Sequence, residues 1–113
     1  MAANQIKRHK IGRKGEKIAN GYINGEITTH KAPFDIVDFN ARIGYEVKTM
    51  SGYAADLKIH ITDNSMARKR EFAQEWGLNM TLIAVVIYSP TKIEVYESEL
   101  VQCIRVNQMR RVQ

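Results

Sequence analysis

The chain predicts an α/β (α+β) fold, a mixed, roughly five-stranded sheet flanked by helices. Three observations predict it. Residues 34–39 and 43–47 are short apolar runs on either side of a turn signal at Asn40-Ala41, the pattern of a hairpin. Residues 80–88, MTLIAVVIY, are the most hydrophobic stretch. They are rich in β-branched residues and closed by Ser89-Pro90, so they read as a strand buried on both faces. Between hairpin and buried strand lies a helical pattern that ends at Gly77. A buried strand reached through a helix crossover implies a mixed sheet with helices on both faces.

A chain of 113 residues, 44% hydrophobic and 26% charged, fits one domain over 1–113 with a modest core. The formal charge of +5 favours anionic partners, nucleic acid before membrane. The single Cys103 excludes an intramolecular disulfide and a Cys-rich zinc site, and fits a reducing, cytoplasmic setting. No apolar run reaches the length of a membrane span, and the N-terminus lacks the pattern of a signal peptide.

Residues 1–10 are polar and basic (Lys7, Arg8, His9, Lys10) and are expected to form a flexible arm. Residues 11–24 read as a helix, with Ile11, Gly15, Ile18, Ala19 and Tyr22 on one face. Arg13, Lys14 and Lys17 point away, and Glu16 sits at the edge of the apolar face. Asn24-Gly25 stops the helix, and residues 26–31 read as the first strand. The hairpin supplies the second and third strands, with Gly44 marking a bulge or a close backbone approach. Residues 58–62 alternate, as a short strand or a helix lead-in. Asp63-Asn64-Ser65 offers capping side chains to the helix that follows. That helix carries Arg68, Lys69 and Arg70, of which at most two can address one ligand. Residues 92–96 predict an outer strand and 99–105 a short helix, followed by the basic pair Arg110-Arg111.

The hairpin holds three polar residues among apolar ones: Asp35, Glu46 and Lys48. Side chains alternate along a strand, so Glu46 and Lys48 share a face. A two-residue turn at Asn40-Ala41 places Asp35 opposite Glu46, whereas a connection of odd length puts Asp38, not Asp35, on the face of Glu46. Two facing carboxylates repel unless a cation lies between them, and Lys48 or a divalent ion can fill that role.

An Asp opening one strand and Glu-x-Lys on the next, here Asp35 and Glu46-Val47-Lys48, resembles the motif of the PD-(D/E)XK nuclease superfamily. Gly12-Arg13-Lys14-Gly15-Glu16 is similar to the helix preceding that motif in the Holliday-junction-resolvase-like branch. The likeness spans about residues 11 to 97. It departs from the family pattern where Phe34 separates Pro33 from Asp35. The resemblance implies a restriction-endonuclease-like core and Mg²⁺ as cofactor, with Mn²⁺ as substitute. It implies Asp35, Glu46 and the main-chain carbonyl of Val47 as metal ligands. Lys48 would then act on the attacking water, and Glu16 would join the site. It further implies DNA as partner, a homodimer or higher homo-oligomer, no small-molecule cofactor, and a home in a bacterial, archaeal or phage-infected cell.

The nucleic-acid contacts expected beside that site are Lys14, Lys58, His60, Arg68, Lys69 and Arg70. Competing readings use the same residues. Asp35, Glu46 and Lys48 also read as structural ion pairs in a non-catalytic basic nucleic-acid-binding module. Asp56-Leu57-Lys58 is a rival acid-x-Lys triplet. A metal-independent RNase or toxin domain would need a His or Tyr general base; separately, His9, His30 and His60 lack the spacing of a zinc or His-metal motif. Trp76 and Tyr45 read as core or rim residues rather than as stacking platforms. Ser51 has no His-Asp pair that the sequence can place, which leaves acyl transfer unsupported.

Overall fold

The computed structural model describes residues 2–23, 25–28, 32–52 and 57–113, the first ten of these as backbone. Asn24, His30, Asp56 and the side chain of His9 lie outside the described residues. The elements run α1 (Ala2–Ile23), β1 (Glu26–Ile27), β2 (Ile36–Asp38), β3 (Ile43–Ser51), β4 (Lys58–His60), α2 (Asp63–Trp76), β5 (Asn79–Ser89), β6 (Lys92–Glu99), β7 (Cys103–Arg105), a 3₁₀ turn (Val106–Gln108) and β8 (Arg110–Arg111). The main sheet has six strands in the order β1-β2-β3-β5-β6-β8, and β4 and β7 form a separate two-stranded sheet. Among the described residues β3 and β5 run parallel and the other pairs are antiparallel. The fold is thus the expected α+β class with a mixed sheet.

The expected buried strand is β5, at the centre of the sheet. Leu82, Ala84 and Val86 pack on one face with Phe34, Val37, Met66 and Ala73. Ile83 and Val85 pack on the other with Ala19 of α1, Ile36, Tyr45 and Val47. Alternation along a strand thus feeds two cores from one run of five buried residues. Helix α1 covers one face. The other is covered by α2 and by the β4–β7 sheet, whose Ile59 and Ile104 join that core.

Helix α2 starts at Asp63, so the cap lies before the Asp63-Asn64-Ser65 side chains expected to supply it. Thr62 is the N-cap, and its hydroxyl accepts the Ser65 N–H at 3.3 Å. Asp63 instead accepts a hydrogen bond from the side chain of Gln102. At the other end Gly77 adopts a left-handed conformation and returns its N–H to Ala73, the stop the sequence predicts.

Three expectations are corrected. The flexible arm over residues 1–10 is helical from Ala2, as a continuation of α1. The helix expected over 99–105 is absent, because β6 runs to Glu99 and β7 follows at Cys103. Leu100 and Ile104 fit a helical spacing, but Cys103, Ile104 and Arg105 alternate against β4, with Ile104 turned inward. Finally, β6 is not an outer strand. Its partner β8 brings Arg110 to Glu97 and Arg111 to Glu94, each at 3.3 Å, so the basic tail answers acids of β6.

Candidate functional site

The hairpin has the even register of a two-residue turn. Ile36 pairs with Tyr45, Val37 with Gly44 and Asp38 with Ile43. The connection is Phe39–Arg42, with Arg42 at a φ of 60° and Asp38 Oδ1 accepting the Ala41 N–H at 3.0 Å. Asp38 therefore caps the turn and lies on the α1 face with Ile36 and Tyr45. Before Ile36 the ladder leaves this register, because the Asp35 N–H donates to the Tyr45 carbonyl at 3.0 Å, yet Asp35 still lies close enough to Glu46 to feel its charge. Gly44 is a close approach rather than a bulge, because the Phe34 ring lies where its side chain would be.

Strand β2 begins only at Ile36, and the residue before it closes the ladder with its side chain. Asp35 Oδ2 accepts the Val47 N–H at 2.8 Å. In an antiparallel pair the N–H and C=O of one residue point to the same neighbour. The Val47 carbonyl is therefore turned to the side of Asp35, where the β2 ladder has ended. Asp35 and the Val47 carbonyl thus lie on the β2 side of β3, with Glu46 near enough to repel Asp35.

Glu46 is buried and carries a lysine on each oxygen. Lys48 Nζ stands 3.4 Å from Oε1, and Lys69 Nζ of α2 stands 3.0 Å from Oε2. The two lysines differ in surroundings: the Lys48 side chain is 41% exposed and that of Lys69 only 6%. Lys69 also meets Ser65 Oγ at 3.0 Å, and its Nζ stands 5.9 Å from the centre of the Phe34 ring.

Burial raises the Asp35 pKa to about 6, and repulsion from Glu46 and, more weakly, Glu16 adds to it; the Val47 N–H and Lys69 act the other way. Glu16 reaches this neighbourhood because α1 lies close on the sheet. A side chain at Gly15 would overlap Thr49 of β3, so only glycine lets the helix sit there.

The structure therefore brings together Asp35, Glu46, Val47 and Lys48, with Glu16 close enough to act on Asp35. Lys69 is a correction: expected on the surface as a phosphate contact, it is a buried member of the site. The signal was present, since Met66, Lys69 and Ala73 form the buried stripe of α2 and the lysine interrupts it. Lys14 on α1, Arg68 and Arg70 on α2, and Lys58 and His60 on β4 are exposed, on three separate elements. Lys14 lines a surface depression with Arg13, Lys17 and Ile18. Tyr45 belongs to the core, and Trp76 is an exposed rim residue in edge contact with Phe39.

Among the described residues, no group of three or more His, Cys, Asp or Glu side chains is placed to hold a metal ion. The donor set is two carboxylates and one carbonyl, all hard oxygens of the kind Mg²⁺ prefers. The mutual repulsion that raises the Asp35 pKa is what a divalent ion between the acids would relieve. Among the described residues no helix is long and apolar enough to cross a membrane. No family model, curated protein or solved structure matches the chain.

Proposed function

We propose that the chain is a Mg²⁺-dependent endonuclease that hydrolyses DNA phosphodiester bonds, acting on DNA structure rather than on sequence. The observation that carries this reading is Asp35 bonded to the Val47 N–H and within repelling range of Glu46, with Lys48 beside Glu46. Asp35, Glu46 and the Val47 carbonyl would hold the ion. When bound, the ion supplies neutralisation of phosphate charge and a more acidic water. Lys48, half exposed beside Glu46, orients the attacking water and offsets charge that develops on the phosphate. Glu16 adds a third carboxylate near Asp35 for a second ion. The basic face of α1 around Lys14 and the exposed Arg68 and Arg70 of α2 offer phosphate contacts that place the backbone without reading bases. Cutting two strands needs two sites, which favours a homodimer or higher homo-oligomer.

A second reading rests on a specific observation: both Glu46 oxygens already have lysine partners. The chain would then be a basic nucleic-acid-binding module whose acids are neutralised internally. One experiment separates these. Purified protein is incubated with linear and branched DNA, and with RNA, in Mg²⁺ or in EDTA. DNA cleavage in Mg²⁺ that EDTA and Asp35→Asn both abolish supports the nuclease. Binding without cleavage supports the module. Cleavage of RNA that survives EDTA would instead point to a metal-independent ribonuclease.

A further inference from the structure

Lys69 is a buried lysine that the reaction outlined above does not use. An ammonium leaves water only for good partners. Lys69 has Glu46 Oε2 and Ser65 Oγ, each at 3.0 Å, with the Phe34 ring at 5.9 Å. Ser65 stands one helical turn before it on α2, so the ammonium is held by its own helix as well as by β3. Lys48 is anchored far less: its contact with Glu46 is longer, at 3.4 Å, and its side chain is 41% exposed.

These differences set an order. A cation that approaches Glu46 must take an oxygen from one of two lysines. Lys48 can withdraw into water at little cost, whereas Lys69 cannot leave without an ammonium stranded in the core. The geometry points to Lys69 as a positioning residue that keeps Oε2 of Glu46 and presents Oε1 alone to the divalent ion. On this account Lys48 would be the lysine that gives up Oε1 when a divalent ion binds, and it would then be free to meet the substrate. The inference rests on the proposed metal site and adds to it the means by which Glu46 is oriented.

Two consequences oppose each other, which makes the role measurable. The Lys69 charge repels an incoming divalent ion, so its removal tightens ion binding. Its removal also frees Glu46 to rotate or to ligate through both oxygens, so cleavage slows even when the ion is saturating. A lysine with a merely structural role would move neither quantity in this split manner.

The experiment compares wild type, Lys69→Met, Ser65→Ala and Asp35→Ala, each checked for folding by circular dichroism. Mn²⁺ is titrated calorimetrically at one pH, and DNA cleavage is measured at saturating Mn²⁺. Lys69→Met is expected to bind Mn²⁺ on the order of tenfold more tightly. It is expected to cleave about 10- to 100-fold more slowly. Ser65→Ala, which loosens Lys69 without removing its charge, should slow cleavage less and leave the fold intact; it carries the test if Lys69→Met does not fold. A folded Lys69→Met with unchanged or weaker ion affinity, or with wild-type cleavage at saturation, overturns the inference, as does Ser65→Ala that cleaves at the wild-type rate. If instead wild type binds no Mn²⁺, or Asp35→Ala binds it normally, the metal site itself is wrong and the inference falls with it.

Discussion

Asp35 closes the end of one strand by accepting the main-chain N–H of Val47, the residue between Glu46 and Lys48, at 2.8 Å. That bond ties the acid to the strand whose Glu46 repels it. Burial and that repulsion raise the Asp35 pKa from 3.8 to about 6. Between these values the folded protein keeps a proton that the unfolded chain releases, so metal-free stability falls as pH rises through that window. Asp35→Asn retains an oxygen for Val47 and loses the charge. At pH 7.5 without metal its Tm should exceed wild type by a few degrees, and the gap should close as pH falls toward 4. A thermal melt series with EDTA present checks this. A gap that is absent at pH 7.5, or that widens on acidification, contradicts the assignment of Asp35.

Lys48 should separate turnover from stability. Its ion pair is half exposed, and pairs of that kind contribute about 0–1 kcal/mol. Glu46 keeps Lys69 when Lys48 is lost. Lys48→Ala should therefore melt close to wild type while cleavage falls by about 10²–10⁴. Calorimetric melts and single-turnover cleavage measure the two effects. Wild-type cleavage by Lys48→Ala would end the proposed mechanism.

Gly15 tests how α1 positions Glu16. Alanine is the better helix former by about 1 kcal/mol, so a helix lying free of the sheet would be stabilised by Gly15→Ala. Here the added methyl meets Thr49, and overpacking of this sort costs about 1–3 kcal/mol. The variant should unfold at a lower urea midpoint. An unchanged or higher midpoint would show that the close approach is not constraining.

Phosphate contacts should follow exposure. Lys14→Ala and Arg70→Ala should weaken DNA binding evenly across sequences, each lowering the slope of log K against log salt by about 1. Lys69→Met should leave that slope alone, because its ammonium is turned to Glu46. Fluorescence anisotropy over a salt series distinguishes them, and a slope unaffected by Lys14→Ala and Arg70→Ala would place the interface elsewhere.

Local rules determined much of this molecule. The period-2 pattern of the hairpin with a turn at Asn40-Ala41 set the register of Ile36–Asp38 against Ile43–Tyr45, which followed from counting. Length and β-branching marked β5 as buried, and a left-handed glycine marked the end of α2. Only the tertiary structure decided the rest. Residues 99–105 suit a helix or a strand alone, and pairing of β7 with β4, distant in sequence, selected the strand. Lys69 resembles Arg68 and Arg70 until α2 is laid on the sheet, because a lysine's burial depends on whether an acid waits across the interface. Register is a property of neighbouring residues and can be read from order alone; the meeting of α2 with β3 is a property of packing, which no local pattern specifies.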